Sequence, residues 1–325
     1  MTDEIDYQHV TEPRRPPDDE MTWIPGGTFT MGSTEFYPEE GPPHEVTVSG
    51  FWMDIHHVTN AAFAEFVEET GYTTVAERPP NPEDYPGIDP EKLVPGSAVF
   101  VSPNRPVSSQ HPNEWWEYVP GADWRHPLGP DSGIEDRLDH PVVHVAYEDA
   151  VAYAEWAGKK LPTEAQWERA ARGGLERKRF VWGDDHVVDG TLMANTWQGR
   201  FPYDNDCLDG YERTSPVEAF PPNEYGLYDM AGNAWQWTRD WYSDGSRARE
   251  SESASCCTPT NPGGVSKERS IDPNDPTRVP RKVLKGGSHL CAPNYCFRYR
   301  PAARYPEPID TSTSHVGFRC VVERA

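Results

Sequence analysis

Turn-forming and aromatic residues dominate this 325-residue sequence and constrain its fold more than any other feature. The chain contains 34 prolines and 26 glycines, with 12 tryptophans and 15 tyrosines spread among them. Proline interrupts helices and central strands, which leaves little room for long regular elements. We therefore predict a loop-rich fold in which aromatic side chains anchor long ordered loops.

Short regular elements are nevertheless indicated. Apolar residues at helical spacing predict three helices, at residues 61–70, 147–157 and 164–172. We expect Asn60 to cap the first helix, and Thr163 to cap the third because Gln166 completes a capping box. Apolar runs bounded by Gly and Pro predict strands within residues 23–32 and 44–53.

The chain is strongly acidic, with 30 Lys and Arg against 53 Asp and Glu and a formal net charge of −23. Such a surface repels phosphate backbones and anionic lipids, so we expect no nucleic-acid or membrane partner. The first residues lack the basic start and apolar stretch of a signal peptide, and no apolar run is as long as a membrane helix requires. We therefore expect a soluble protein in the cytoplasm.

Two stretches are expected to lie outside the core. Residues 1–20 are acidic and contain prolines but few apolar side chains, which predicts a disordered tail before a single domain at 21–325. Residues 243–281 are polar and predict a mobile excursion. The excursion contains Cys256 and Cys257, which we interpret as incidental exposed thiols.

Cys291 and Cys296 are five positions apart in a glycine-led, arginine-rich run. A pair at this spacing can form a disulfide, exchange one, or bind a soft ion such as Cu(I) or Zn(II). Arg298 and Arg300 would favour the thiolate, which is the reactive and metal-binding form. The spacing alone leaves a thiol active centre and a structural pair equally open, although six cysteines are few for a disulfide-built scaffold.

Four segments resemble the sulfatase-modifying-factor superfamily. They are GGTFTMGS at 26–33, LPTEAQWERAARGG at 161–174, NEYGLYDMAGNAWQW at 223–237 and VGFRC at 316–320. The cysteine-bearing run, together with GADWRHPLGP at 121–130, is similar to the subgroup of formylglycine-generating enzymes. The resemblance covers nearly the whole chain and implies a single loop-rich α+β domain, distantly similar to C-type lectins.

The resemblance implies an oxidase. Members of this subgroup use O2 and Cu(I) to oxidise the cysteine of a Cys-X-Pro-X-Arg motif in type I sulfatases to Cα-formylglycine. By position, Cys291 and Cys296 are the expected Cu(I) ligands, and two thiolates suit this soft ion. Ser288 and Tyr295 match positions that line the site, and Trp235 matches a tryptophan beside it. Turn bonding by Ser288 and core packing of both aromatic residues stay open as alternatives.

The resemblance also implies two structural Ca2+ sites built from hard oxygen donors. The first site matches Asn195, Thr196, Asp209 and Tyr211. The second site matches Asp229, Gly232, Ala234 and Gln236. This second set departs from the family pattern, because Gln236 replaces a glutamate and Asp229 replaces an asparagine, so a single carboxylate is kept.

Alternative functions use the same scaffold or the same cysteines. A non-catalytic relative that binds sulfatases or glycans is expected to lack the cysteine pair, which this chain keeps. An iron-dependent sulfoxide synthase is expected to have an additional amino-terminal helical domain with histidine ligands. A structural zinc site at Cys291 and Cys296 would need two further ligands near these cysteines. The two disulfides of secretory relatives cannot form here, because the matching positions are Ala154 with Cys320 and Ala171 with Pro301. Cys320 is therefore expected to be a buried free thiol.

The expected partners are O2 and an unfolded type I sulfatase segment. A folded protein would bury its target cysteine, so the substrate must be an extended peptide. We therefore expect a monomer with a surface groove that leads to Cys291 and Cys296 and binds the peptide through main-chain hydrogen bonds.

Overall fold

The computed structural model describes residues 16–83, 87, 89–244 and 258–323. Residues 1–15 of the predicted tail lie outside these ranges, as do Cys256, Cys257 and the rest of 245–257 in the predicted excursion. Within the described ranges, three α-helices and fifteen short strands are joined by long loops. This arrangement confirms the single loop-rich α+β fold.

The three helices lie close to the predicted ranges. They are α1 (Asn60–Thr70), α2 (Tyr147–Trp156) and α3 (Glu164–Ala171). The predicted capping box of α3 is present, since Thr163 N donates to Gln166 Oε1 at 2.8 Å and Gln166 N donates to Thr163 Oγ1 at 3.0 Å.

The predicted cap of α1 is wrong by one residue. Thr59 precedes the helix in extended backbone, and its Oγ1 accepts from Ala62 N at 3.2 Å. Asn60 already belongs to the helix, and its Nδ2 donates to Arg137 O at 2.8 Å instead. Gly71, in the left-handed region at φ 67°, ends the helix.

The strands are short, as the proline and glycine content predicts. They are β1 (Met21–Ile24), β2 (Gly27–Met31), β3 (His44–Val48), β4 (Phe51–Asp54), β5 (Gly96–Phe100), β6 (Trp116–Pro120), β7 (Val187–Val188), β8 (Thr191–Leu192), β9 (Gly199–Arg200), β10 (Asp204–Asn205), β11 (Trp235–Trp241), β12 (Arg281–Lys285), β13 (Tyr305–Pro308), β14 (Val316–Gly317) and β15 (Val321–Glu323). The strands predicted within 23–32 and 44–53 correspond to β1 through β4.

Two sheets have more than two strands in the described part of the chain. One is antiparallel with the order β1-β4-β15, and the other has the order β13-β12-β11-β14, in which β14 runs parallel to β11. The remaining sheets are the pairs β2–β3, β5–β6, β7–β8 and β9–β10. Because β12 ends at Lys285, the four-stranded sheet leads directly into the cysteine-bearing run.

Aromatic side chains hold the loops together, as predicted. In the larger core cluster, the ring of Phe63 in α1 lies 5.1 Å from Trp124 and 5.9 Å from Tyr153 of α2. A smaller cluster consists of Phe100, Trp115, Trp197, Phe201, Leu290 and Ala292. Cys291 belongs to the larger cluster and its two neighbours to the smaller one, so the cysteine-bearing run lies between them. None of the described helices has the length and apolar character needed to cross a bilayer.

Candidate active site

The sulfurs of Cys291 and Cys296 lie 3.0 Å apart. This separation exceeds the roughly 2.05 Å of a disulfide bond, and both residues are free thiols. One helical turn brings them together, because Tyr295 N and Cys296 N both donate to Ala292 O, at 3.0 and 2.9 Å. The site is therefore a reduced dithiol rather than a structural disulfide.

The glycines before the pair are required by the backbone. Gly287 has a φ of 71°, in the region that favours glycine. A Cβ at this position would lie 2.9 Å from Tyr299 N, so any side chain would push the run away from the segment that follows the cysteines. The Gly-Gly-Ser stretch thus allows the chain to fold back beside Cys296.

The two thiols have opposite pKa shifts. Cys291 is only 2% exposed, and burial raises the pKa of its thiol well above the usual value. The pKa of Cys296 is lowered, first by the hydrogen bond with Cys291 and then by the positive charge of Arg298. Of the two thiols, Cys296 is therefore the one that loses its proton more easily.

The two arginines after the pair contact a loop at residues 36–40. Arg298 Nη2 donates to Glu39 Oε1 at 2.8 Å, and its guanidinium lies 3.8 Å from the ring centre of Tyr37. Arg300 is buried and forms a two-pronged ion pair with Glu40. The expectation that both arginines favour the thiolate therefore holds for Arg298, whereas the charge of Arg300 is balanced by Glu40.

This loop was not predicted to be part of the site. Tyr37 Oη accepts from Phe297 N at 3.0 Å, directly after Cys296. Arg298 and Glu39 are 259 positions apart, so no local pattern could have linked them. The only signal was the adjacency of two acidic residues to a Pro in an otherwise featureless loop, which is too weak for a prediction.

Ser288 and Tyr295 have different environments. Ser288 is fully buried, and its Oγ accepts from Leu290 N at 3.2 Å, which is the turn bonding named as the alternative. Tyr295 is 39% exposed and stacks on Phe201 at 4.2 Å, and partial burial raises its pKa to about 12. Tyr295 therefore presents a neutral phenol at the surface beside the pair.

Trp235 lies at the start of β11 and is almost fully buried. Its ring packs against Tyr305 at 5.8 Å, and the guanidinium of Arg298 lies 5.3 Å from the ring centre of Tyr305. Trp235 thus supports the wall of the site through Tyr305, which sequence analysis did not select.

A second tyrosine near the pair was also missed. Tyr299 is fully buried, and its hydroxyl lies 3.0 Å from Nε2 of His186, an exposed residue. Burial and the negative charge of the two cysteines raise the pKa of Tyr299. No spacing pattern joins residues 186 and 299.

The expected peptide groove stays a prediction. A cavity in the described part of the chain is lined by residues that include Trp124 and Arg213, and the cysteines are not among them.

Two residues of the first expected calcium set, Thr196 and Asp209, meet at Gln198. Its Nε2 donates to Thr196 O and, at 2.7 Å, to Asp209 Oδ2. Tyr211 lies on the same loop as Asp209, and its N donates to Asp209 Oδ1 at 3.0 Å. Asn195, next to Thr196, is buried, and its Nδ2 donates to Arg213 O. Thr196 O and Asp209 Oδ2 therefore face the position occupied by the Gln198 amide, and this flexible side chain can move away. A cation bound by oxygen atoms would fit that position.

The residues of the second set are bonded to other groups. Gln236 Nε2 donates to Asp229 O at 2.9 Å, and Ala234 O accepts from His57 Nε2 at 2.9 Å. Gly232 N donates to Gly286 O at 2.9 Å. The two sets therefore differ in how available their oxygen donors are.

Within the described ranges, no three His, Cys, Asp or Glu side chains are grouped so that they could hold a metal ion. A structural zinc site on Cys291 and Cys296 would need two such ligands in addition to the pair. The zinc alternative is therefore unsupported in this part of the chain.

Comparison with known proteins places the site in a family. The Sulfatase-modifying factor enzyme 1-like domain matches residues 7–324, which is nearly the whole chain. The chain belongs to the sulfatase-modifying factor family. Its fold resembles that of PvdO from Pseudomonas aeruginosa, with a TM-score of 0.63 over 94% of both chains, although at 22% identity this likeness concerns the fold alone.

Relatives within this family include both active and inactive proteins by name. The chain is 55% identical to the formylglycine-generating enzyme of Mycobacterium tuberculosis over 304 residues, which cover 94% of this chain and 98% of the relative. It is 45% identical to the enzyme of the same name from Thermomonospora curvata, with 96% and 97% coverage. A mouse protein named inactive C-alpha-formylglycine-generating enzyme 2 is 44% identical, with 93% and 85% coverage. Overall identity therefore does not separate the two classes.

Proposed function

We propose that this protein oxidises a cysteine of an unfolded sulfatase segment to Cα-formylglycine, with Cu(I) held by Cys291 and Cys296 and O2 as the oxidant. The observation that carries the proposal is the pair of free sulfurs 3.0 Å apart. The names of relatives that cover almost the whole chain support the same reaction.

The cysteine pair fits a soft monovalent ion. It offers two sulfur donors, and no group of three candidate ligands is found around it in the described ranges, which suits the low coordination number of Cu(I). When bound, Cu(I) supplies a centre at which the substrate thiol and O2 can meet.

The neighbouring residues prepare the pair for this role. Arg298 stabilises negative charge on Cys296, and Glu39 holds the guanidinium in place. Cys291 gives up the remaining thiol proton when the metal binds, because metal binding requires thiolates. The exposed ring of Tyr295 offers an apolar surface to a peptide, and its phenol keeps a proton to donate at neutral pH.

The proposed reaction balances when an external thiol supplies reducing equivalents. The substrate –CH2–SH, one O2, two electrons and two protons give –CHO, one hydrogen sulfide and one water. Loss of one hydrogen from Cβ and one from sulfur converts the thiol to a thioaldehyde, and water then replaces the sulfur, which leaves as hydrogen sulfide. The thiol reductant is oxidised to a disulfide.

The decisive experiment follows a peptide with the motif Cys-X-Pro-X-Arg by mass spectrometry. Protein loaded with Cu(I) is incubated with the peptide, O2 and a thiol reductant, and the expected product has CHO in place of CH2SH. Cys291→Ser and Cys296→Ser should each abolish conversion and Cu(I) retention, whereas Cys207→Ser, a free thiol elsewhere, should retain both. Peptide that stays unchanged with folded, metallated protein rejects the proposal, and peptide binding without conversion indicates a non-catalytic paralogue.

A further inference from the structure

Arg319 is a fully buried cation surrounded by oxygen atoms. Its Nε donates to Gln236 Oε1 at 2.7 Å. Its two terminal nitrogens donate to the main-chain oxygens of Asp54, Ile55, Tyr228 and Asp229, at 2.7 to 3.3 Å. All five N–H groups of the guanidinium thus have an oxygen partner, and a shell of carbonyl and amide oxygens is the environment that a hard metal cation takes in other proteins.

Gln236 has no free oxygen lone pair. Its Oε1 accepts from Arg319 Nε and from Trp167 Nε1, both at 2.7 Å. An amide oxygen has two lone pairs, so both are used. The Nε2 of the same amide donates to Asp229 O at 2.9 Å. This NH2 group carries hydrogen atoms at the position where a glutamate would carry a second oxygen. Gln236 is therefore closed to a metal ion.

Ala234 and Asp229, two other members of the second calcium set, are also engaged. Ala234 O accepts from His57 Nε2 at 2.9 Å, and this imidazole is fully buried. The Asp229 carboxylate accepts from Glu218 N at 3.3 Å and from Asn233 Nδ2 at 3.4 Å. A calcium ion here would have to displace buried partners from several elements together.

The first calcium set differs in this respect. The contacts that occupy Thr196 O and Asp209 Oδ2 come from one amide group, that of Gln198. Gln198 and Asp209 are only partly buried, so the amide can rotate into solvent when a cation binds. A single side-chain movement therefore opens this set.

We propose that the chain binds one Ca2+, at Asp209 and Thr196, and that the second set is closed to Ca2+ because the guanidinium of Arg319 holds its oxygens together. Arg319 joins the end of β4 to the turn at 228–229 and to β11, so a side chain supplies the cross-link that a metal ion would supply. This inference concerns calcium alone and goes beyond the proposed oxidation, because it holds whether or not Cys291 and Cys296 bind copper.

The test is a calcium titration of the full-length protein after treatment with a chelator and dialysis. Calorimetry with CaCl2 and elemental analysis of gel-filtered protein should both give one Ca2+ per chain. Asp209→Asn should weaken binding by about tenfold or more, because it removes the negative oxygen donor. Asp229→Asn, a matched loss of one carboxylate at a residue whose φ of 52° suits Asn, should leave the number and affinity unchanged.

Three outcomes of the titration would each overturn the proposal: two ions per chain, no bound ion, or one ion that is lost in Asp229→Asn but kept in Asp209→Asn. Circular dichroism with chelator present establishes that both variants are folded. The variant Arg319→Lys provides an independent test by thermal unfolding. It should lower the midpoint temperature of unfolding by the same amount with and without Ca2+. Rescue of that loss by Ca2+ would contradict the assigned role of Arg319.

Discussion

Burial, a hydrogen bond and one arginine make the two thiols of the candidate site chemically different. Burial in the core raises the pKa of Cys291, whereas the hydrogen bond with Cys291 and then the charge of Arg298 lower the pKa of Cys296. The charge of Arg300, two positions further on, is balanced by Glu40. Among the arginines of the run, Arg298 is therefore the one that favours a thiolate at Cys296.

Replacing Arg298 by Gln should raise the pKa of the Cys296 thiol. Loss of this positive charge disfavours the thiolate, so the rate of Cys296 carbamidomethylation by iodoacetamide at pH 7 should fall, by about tenfold. Peptide mapping by mass spectrometry measures the rate at Cys296 alone. Arg179→Gln, an exposed arginine that contacts Glu35 on the adjoining loop, is the control and should react like the wild type. Equal rates in both variants would remove Arg298 from this role.

The candidate site was predictable only where its signals are local. The five-position spacing of Cys291 and Cys296 predicted that the sulfurs could meet, and one helical turn accounts for it. The contribution of Tyr37 and Glu39 could not be predicted, because they come from the opposite end of the chain and the loop carrying them has no periodic pattern. The same holds for His186 beside Tyr299.

Helix α3 supports the start of the cysteine-bearing run. Trp167 of this helix donates to Gln236 in β11, and Glu168 accepts from Lys285 Nζ at 3.1 Å. Lys285 is fully buried and is the last residue of β12, directly before Gly286 and Gly287. Any loosening of α3 therefore affects the strand that leads to the cysteines.

Thr163→Ala should destabilise the protein through this helix. The substitution removes the oxygen that accepts from Gln166 N, and loss of an N-cap costs about 1 kcal/mol. The free energy of unfolding in urea provides the measurement. Thr191→Ala removes an exposed threonine from β8 and should leave stability within about 0.5 kcal/mol of the wild type. A cap that contributes nothing would make the two variants indistinguishable.

The helices were predictable from the sequence, whereas most strands, including the seven-residue β11, were not. The helices were located from apolar spacing and capping, and the error at α1 arose because Thr59 and Asn60 are both good caps. Pairs such as β7–β8 and β9–β10 have two residues in each strand, which is too short for an alternating pattern. Their pairing depends on the loops around them and is visible only in the folded chain.

Buried histidines couple the stability of the whole molecule to pH. His144 and His289 are both fully enclosed, and burial lowers the pKa of each to about 4. Protons bind these side chains in the unfolded chain below about pH 6.5 but not in the folded one, so this part of the stability is complete above pH 6.5 and is lost as the pH falls toward 4. Asp149 acts in the opposite direction, because burial raises its pKa to about 7.

A variant is needed to isolate the histidine contribution. Between pH 7.5 and pH 5, His144 should account for a loss of about 2 kcal/mol in the free energy of unfolding. His144→Asn, at a φ of 60° that suits Asn, should therefore show a change with pH that is smaller by this amount in urea unfolding. His44→Asn, an exposed histidine of β3, should reproduce the wild-type dependence. Identical curves for all three proteins would exclude His144 as a source.

The turn between the two cysteines sets the relative position of their sulfurs. Cys296 reaches Cys291 because its amide closes a turn on Ala292, and each residue of a helical turn rotates the chain by about 100°. Adding or deleting one residue between the cysteines would swing one sulfur to another side of the turn. The number of residues between the two cysteines therefore matters as much as the cysteines themselves. A related chain with both cysteines at a different spacing is expected to be unable to bind one metal ion with both sulfurs.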